Sequence, residues 1–93
     1  MNEDKLHYKL FITGRVQGVG FRFKARMTAR YYGIFGIVKN LPDGSVYIEA
    51  EGKKEALEFF IQWCKKGPDY GMVKTLVCEK GELKGYSSFE VVF

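Results

Sequence analysis

Residues 14–22 read Gly-Arg-Val-Gln-Gly-Val-Gly-Phe-Arg, and they connect an alternating apolar strand to an amphipathic helical pattern. Three glycines in such a short connection let the backbone curl so that successive N–H groups point at one spot. The N-terminus of the following helix adds the positive end of its dipole at the same place. The stretch therefore predicts a strand–loop–helix unit that binds an anion, for which phosphate is the natural candidate.

The distribution of arginine supports this prediction. The chain has four arginines, and all of them lie in this loop or in the helix after it: Arg15, Arg22, Arg26 and Arg30. A guanidinium grips phosphate oxygens in pairs. Arg22 falls in the first helical turn, where the helix dipole disfavours a cation by about 0.3–1 kcal/mol. A bound anion would offset that cost. A lone glycine pattern usually indicates only a tight turn, but here the arginines favour an anion-binding site.

Composition and charge restrict the class of protein. Ninety-three residues with 46% hydrophobic content predict one folded domain, 1–93, with a single core. A net charge of +4 suits an anionic substrate but is too small to indicate nucleic acid. We expect a cytoplasmic chain without membrane association, since the sequence has neither a bilayer-spanning apolar run nor a signal-peptide pattern. Cys64 and Cys78 are predicted to be free, buried thiols.

Periodicity along the chain predicts two helices and five strands. The helices are expected at 21–32 and 53–66, where apolar residues recur at helical spacing and a glycine follows. The alternating or short apolar runs that predict strands are 5–13, 34–40, 46–51, 72–79 and 89–93. Residues 41–44, Leu-Pro-Asp-Gly, predict a tight hairpin turn between the second and third strands.

The order of these elements predicts the fold class. Two strand–helix–strand units with right-handed crossovers form an α+β, ferredoxin-like two-layer sandwich, βαββαβ, here with an extra C-terminal strand. We expect an antiparallel sheet with both helices on one face. Several large aromatic residues are predicted to lie in the core or on a sheet face: Phe11, Phe23, Tyr31, Phe59 and Trp63.

Further short motifs extend the pattern of the loop. They are Gly33 and Gly36, Val38-Lys39-Asn40, Asp43-Gly44-Ser45-Val46 and the closing Phe89-x-Val91. Together with residues 14–22 they closely resemble the acylphosphatases over nearly the whole chain. In that family the arginine that ends the loop motif binds the substrate phosphate with the loop amides, and the asparagine after the second strand positions the attacking water.

The resemblance implies a set of site residues. Arg22 and Asn40 would be the catalytic residues. The phosphate would be bound by the loop and the arginine after it: Arg15, Val16, Gln17, Gly18, Val19, Gly20 and Arg22. Two positions depart from common family patterns, since Ile37 stands where an aromatic is frequent and Leu41 where a hydroxyl residue often follows the asparagine. The departures concern packing near the site and the support of Asn40, not the two catalytic positions.

The chemistry of an acyl phosphate fits the residues that the chain offers. Its leaving group is a carboxylate, which departs without a proton, so no general acid is needed. The transition state is loose, so catalysis is mainly positioning and charge stabilisation. Arg22 would supply charge, and Asn40 would orient water through its carbonyl and amide. His7, the only histidine, is predicted to be an exposed strand residue.

Neither a cofactor nor a metal is expected. The acidic residues are scattered without an Asp/His cluster, no Cys-x5-Arg cradle is present, and the glycine loop lacks a Gly-Lys-Ser/Thr end. The predicted substrate is a small acyl phosphate, with inorganic phosphate or sulfate as a competing anion.

Two other functions were weighed against hydrolysis. RNA-recognition domains share this order of elements, but their basic-Gly-aromatic-Gly-Phe signature lies on the third strand. Here the similar residues 17–23 precede the first helix, and the third strand has only Tyr47 as an aromatic, so nucleic-acid binding is disfavoured. The second alternative is a regulatory anion-binding domain of the acylphosphatase type, as occurs inside larger hydrogenase-maturation proteins.

Overall fold

The structure, a computed structural model, describes residues 5–93 and contains all seven predicted elements. In chain order these are β1 (Lys5–Arg15), α1 (Phe21–Tyr31), β2 (Phe35–Asn40), β3 (Val46–Lys53), α2 (Lys54–Lys66), β4 (Met72–Gly81) and β5 (Phe89–Val92). The α+β class is confirmed, and element ends differ from the sequence prediction by a few residues. No helix in this part of the chain has the length and apolar character needed to cross a membrane.

The five strands form one sheet in the order β4-β1-β3-β2-β5. β1 runs antiparallel to β3 and β4, and β2 runs antiparallel to β3, but β5 is parallel to β2. The expectation of a wholly antiparallel sheet is therefore wrong, and the sheet is mixed. The reason lies in residues 82–88, which cross the sheet from the β4 edge to the β2 edge instead of turning back beside β4. We call residues 82–88 the strap.

The hydrophobic core lies between the two helices and one face of the sheet. Alternate residues of the strands and one stripe of each helix fill it, including Leu10, Ile12, Phe21, Ala25, Ile48, Leu57 and Phe60, all of which are buried. Three of the five predicted core or sheet-face aromatics are instead exposed on the helices: Phe23, Tyr31 and Phe59. Each of them lies outside the buried stripe of its helix. Phe23, for example, follows the buried Phe21 by two positions, and that spacing turns a side chain to a different side of the helix.

His7 is fully buried, so the prediction of an exposed strand residue is wrong. It lies on the sheet face opposite the helices, where the strap covers it. Its Nδ1 is 2.7 Å from Glu51 Oε2, and its Nε2 is 3.3 Å from Glu49 Oε1. The alternation of β1 could not reveal this, because the cover comes from a segment far along the chain.

Glu51 holds the strap against the sheet. Its carboxylate accepts hydrogen bonds from the backbone N–H groups of Lys84, Gly85 and Tyr86, and it also contacts the His7 ring. Burial raises the pKa of Glu51, but these hydrogen bonds outweigh burial and lower the pKa below its usual value. The strap therefore depends on one ionised carboxylate for three of its backbone contacts.

The two thiols are free, and only one is buried. Cys64 lies in the core on α2, where burial raises the pKa of its thiol well above the usual value. Cys78 lies on the edge strand β4 and is exposed, so half of the prediction of two buried thiols is wrong. Cys78 is exposed because β4 lies at the edge of the sheet and the Cys78 side chain lies outside the core. The periodicity of a strand does not reveal whether that strand lies at an edge.

Candidate active site

The loop between β1 and α1 depends on left-handed backbone at its glycines. Gly18 has φ of 75° and Gly20 has φ of 79°. An L side chain is strained at such angles, whereas glycine adopts them freely. Gly20 is also the N-cap of α1, and its carbonyl accepts the first helical hydrogen bond from the Lys24 N–H at 3.1 Å. The glycines thus end β1 and start the helix within five residues, 16–20.

The backbone N–H groups of this loop are unpaired within residues 5–93. From Gln17 to Phe23, no backbone N–H donates to another group in the described part of the chain. The first helical turn contains no acidic residue and no side chain caps it. Free N–H groups at a helix N-terminus favour an anion, because each N–H is a donor and the helix dipole adds positive potential. The predicted anion-binding character of the loop has a structural basis in these unpaired donors.

A cavity of about 330 Å³ opens at this helix N-terminus. The loop and α1 form one side of it, and the ends of β2 and β5 form the other. Its lining residues are Val16, Gly18, Gly20, Phe21, Arg22, Phe23, Arg26, Asn40, Val91 and Phe93. The cavity thus brings Arg22, from α1, together with Asn40, from the end of β2.

Arg22 is the first cation of α1 and is half-buried at the cavity. Its guanidinium carbon lies 4.9 Å from the centre of the Phe93 ring, within the range of a cation–π contact. No carboxylate within residues 5–93 forms an ion pair with it. The guanidinium therefore lies against an aromatic ring and keeps its hydrogen-bond donors available for a bound anion.

Asn40 ends β2 with an unsatisfied acceptor. Its Oδ1 is buried, and no hydrogen-bond donor from the described residues reaches it. A buried polar atom without a partner costs about 1–3 kcal/mol, so such atoms in native proteins call for an explanation. Here the residue lines the cavity, and a water molecule or substrate group in the cavity would supply the missing donor.

Gln17 ties the anion loop to the turn that follows Asn40. Its Nε2 donates to the carbonyl oxygens of Leu41 and Ser45, both at 2.8 Å. The turn is closed by the Leu41 N–H donating to the Ser45 carbonyl at 2.9 Å, and Asp43 accepts hydrogen bonds from Ser45. Leu41, which departs from the common family pattern, contributes only backbone groups to these contacts.

The predicted phosphate-binding residues fall into two groups. Val16, Gly18, Gly20 and Arg22 line the cavity, as does the predicted catalytic Asn40. Arg15, Gln17 and Val19 do not line it: the Gln17 side chain reaches the β2–β3 turn, and Val19 lines a separate hollow beside Trp63. Binding of phosphate by the loop amides remains a prediction for all seven positions.

Sequence reasoning did not assign five residues of the cavity wall to the site: Phe21, Phe23, Arg26, Val91 and Phe93. One signal was present for Arg26, since it follows Arg22 by four positions and therefore lies on the same side of α1. Val91 and Phe93 belong to the C-terminal segment. Only the parallel pairing of β5 with β2 brings them to this end of the sheet.

Comparison with known proteins decides the family. The family model described as acylphosphatase matches residues 8–91. An acylphosphatase of Archaeoglobus fulgidus is 46% identical over 85 residues, which cover 91% of this chain and 96% of the relative. The chain belongs to the acylphosphatase family.

Solved structures agree with this assignment. The crystal structure of acylphosphatase from Bacillus subtilis matches with a TM-score of 0.92 and 38% identity, covering 95% of this chain and 99% of that one. Full-length HypF in its phosphate- and nucleotide-bound form matches with a TM-score of 0.87 and 32% identity, but this acylphosphatase-like chain covers only 12% of it. The ferredoxin-like fold and the family resemblance seen in the sequence are both confirmed.

No group of three or more His, Cys, Asp or Glu side chains between residues 5 and 93 is arranged to hold a metal ion. The histidine–glutamate cluster at His7 lies on the strap side of the sheet, whereas the cavity is lined by the anion loop, α1 and the ends of β2 and β5. The groups available at the cavity are therefore cations, amides and apolar walls. Such a set suits an anionic ligand.

Proposed function

We propose that this acylphosphatase hydrolyses the carboxyl–phosphate bond of small acyl phosphates without a metal ion, using Arg22 and the loop amides to bind the phosphate and Asn40 to orient water. The observation that carries the mechanism is the buried, unpartnered Asn40 Oδ1 in the same cavity as Arg22. Membership of the acylphosphatase family supports the substrate class.

Phosphate binding follows from the donors at the helix N-terminus. The N–H groups from Gln17 to Phe23 donate to no acceptor among the described residues, so they are available for phosphate oxygens. The Arg22 fork adds two parallel donors and a full charge. In a loose transition state the charge spreads over the phosphoryl oxygens, and donors already in place stabilise it without reorganising.

Water activation follows from Asn40. Its Oδ1 accepts one O–H of a water molecule, which turns a lone pair of the water oxygen toward phosphorus. The water oxygen forms a new bond to phosphorus while the bond between phosphorus and the carboxylate oxygen breaks, and the electron pair of the broken bond leaves with the carboxylate. The extra proton of the attacking water passes to the phosphate product or to solvent. No group on the enzyme must donate a proton to the leaving group.

Substitution of Asn40 tests this division of roles. Asn40→Ala should lower kcat for benzoyl phosphate by about 10²–10³, the usual loss when one polarising group is removed. The inhibition constant of inorganic phosphate should change little, because Asn40 acts on water. Lys39→Ala is the matched control, since Lys39 is the neighbouring residue, lies over the Tyr47 ring on the other side of the sheet and does not line the cavity. An Asn40→Ala variant that keeps most of its turnover would refute the proposed role.

Two further measurements test the reaction as a whole. Activity should survive exhaustive chelation, and its loss in chelator with recovery in magnesium would refute the metal-free mechanism. Inorganic phosphate or sulfate should inhibit competitively. A protein that binds phosphate but releases none from benzoyl or acetyl phosphate would instead be an anion-binding domain. The cytoplasmic location and the lack of nucleic-acid and membrane partners stay predictions from the sequence.

A further inference from the structure

A second arginine faces the same cavity as Arg22. Arg26 lies one helical turn further along α1, which places the two Cβ atoms about 5–6 Å apart. Arg26 is half-buried and lines the cavity, yet no carboxylate of the described chain forms an ion pair with it. Arg30, one more turn along, is in contrast paired with Glu90 at 3.2 Å. Glu90 of β5 thus neutralises the third arginine of the helix, whereas the two at the cavity have no counter-ion among residues 5–93.

The repulsion between Arg22 and Arg26 has an electrostatic cost that an anionic ligand would offset. Like charges one turn apart on a helix repel, and no carboxylate of the described residues forms an ion pair with either guanidinium. Arg22 is adjacent to the loop amides, whereas Arg26 lies one helical turn further along the cavity wall. A phosphate group bound by the loop amides and Arg22 would leave Arg26 available for a different part of the ligand.

Each of the two guanidinium groups lies over an exposed aromatic ring at the cavity wall. Arg26 lies over the Phe23 ring at 5.4 Å, as Arg22 lies over the Phe93 ring at 4.9 Å. Val91 also lines the cavity. The wall beyond the phosphate site is therefore apolar with one cation on it. A short acyl chain or a ring would pack on these aromatic and aliphatic groups while its far end meets Arg26.

We propose that Arg26 is a specificity-determining residue that binds a second anionic group, such as a carboxylate, on the acyl part of the substrate. This inference rests on the proposed function and adds a preference to it. Acyl phosphates that bear a second negative charge should react with higher kcat/KM than neutral ones of the same shape. The gain from one ion pair at a half-buried site is about fivefold to tenfold.

The test compares substrates that differ only in this charge. Carboxybenzoyl phosphates and carbamoylbenzoyl phosphates, each with the substituent in the meta or para position, have the same ring and nearly the same size. The wild-type protein should prefer at least one carboxylate substrate, and the preference should shrink as ionic strength rises, because salt screens the pair. Arg26→Gln should remove the preference, and Arg26→Lys should restore part of it.

Lys24→Gln is the matched control. It removes the same charge from the same helix, but Lys24 does not line this cavity. The control should keep the wild-type ratio of kcat/KM values between the charged and the neutral substrate. An equal loss of preference in Lys24→Gln and Arg26→Gln would assign the effect to the overall charge of the protein and overturn the inference.

The outcomes separate the two proposals. Equal kcat/KM for charged and neutral substrates in the wild-type protein would overturn the role of Arg26 and leave acyl phosphate hydrolysis intact. Failure to release phosphate from any of these substrates would instead overturn the proposed function. If Arg26→Gln does not fold by far-UV circular dichroism, the Arg26→Lys variant and the salt dependence of the wild-type ratio decide the matter.

Discussion

Replacing Glu51 with glutamine should weaken the strap and destabilise the fold. The carboxylate of Glu51 is nearly buried and accepts hydrogen bonds from Lys84, Gly85 and Tyr86, with His7 as a further contact at 2.7 Å. Glutamine has almost the same shape, but only one of its two terminal atoms is an acceptor. Its NH2 group would therefore face donors on one side of the site, whichever way the amide is turned.

The magnitude follows from this loss of acceptors. If the amide oxygen replaces Oε1, it keeps the contacts with Gly85 and Tyr86, but their hydrogen bonds lose the charge that makes such bonds about twice as strong. The Lys84 N–H then has no acceptor, which costs about 1–3 kcal/mol. We expect a total loss of about 2–4 kcal/mol in the free energy of unfolding. For a domain of this size that corresponds to a fall in Tm of roughly 10–20 °C.

Urea unfolding followed by far-UV circular dichroism measures the loss. Glu58→Gln is the matched control, because Glu58 is an exposed residue of α2, and it should change stability by less than about 0.5 kcal/mol. Hydrogen exchange should also accelerate at β5, since the strap leads directly into that strand. A Glu51→Gln variant as stable as the control would refute the reasoning, because it would show that the carboxylate does not hold the strap.

Two further perturbations test the electrostatics of the molecule. Burial raises the pKa of Glu49, but hydrogen bonds from Lys84, Tyr47 and Tyr86 outweigh it and lower the pKa from 4.5 to about 2. A carboxyl group with a lowered pKa stabilises the fold at pH values above its unfolded pKa. The contribution of Glu49 to the free energy of unfolding, measured by urea titration, should therefore be fully present near neutral pH and be lost between pH 4.5 and 2. A free energy of unfolding that does not change over this range would contradict the lowered pKa of Glu49. Inorganic phosphate at a hundred times its dissociation constant should add about 2.7 kcal/mol to the stability of the wild-type protein and raise its Tm by several degrees. Arg22→Lys should lose most of this shift, because an ammonium cannot form the paired contact, and equal shifts in the same salt would mean that the loop is only a turn.

The candidate site was predictable where its residues are close in sequence. The glycines of residues 14–22 and the helix that starts at Phe21 define a local anion loop, and the motif resemblance added Asn40 from the end of the next strand. The sequence shows that Arg26 is a neighbour of Arg22 on one side of a helix, but it does not show that Arg26 lines a cavity. Val91 and Phe93 reach the site only through the pairing of β5 with β2, which no local pattern encodes.

The sequence by itself determined the elements and their order. Periods of two and of 3.6 residues, together with glycines that permit left-handed backbone, act over a few neighbouring residues, so they can be read along the chain. Tertiary structure alone decided the direction of β5 and the burial of His7. These depend on which distant segment covers a surface: the strap buries one sheet face because Glu51 accepts its backbone N–H groups, and that contact joins residues more than thirty positions apart.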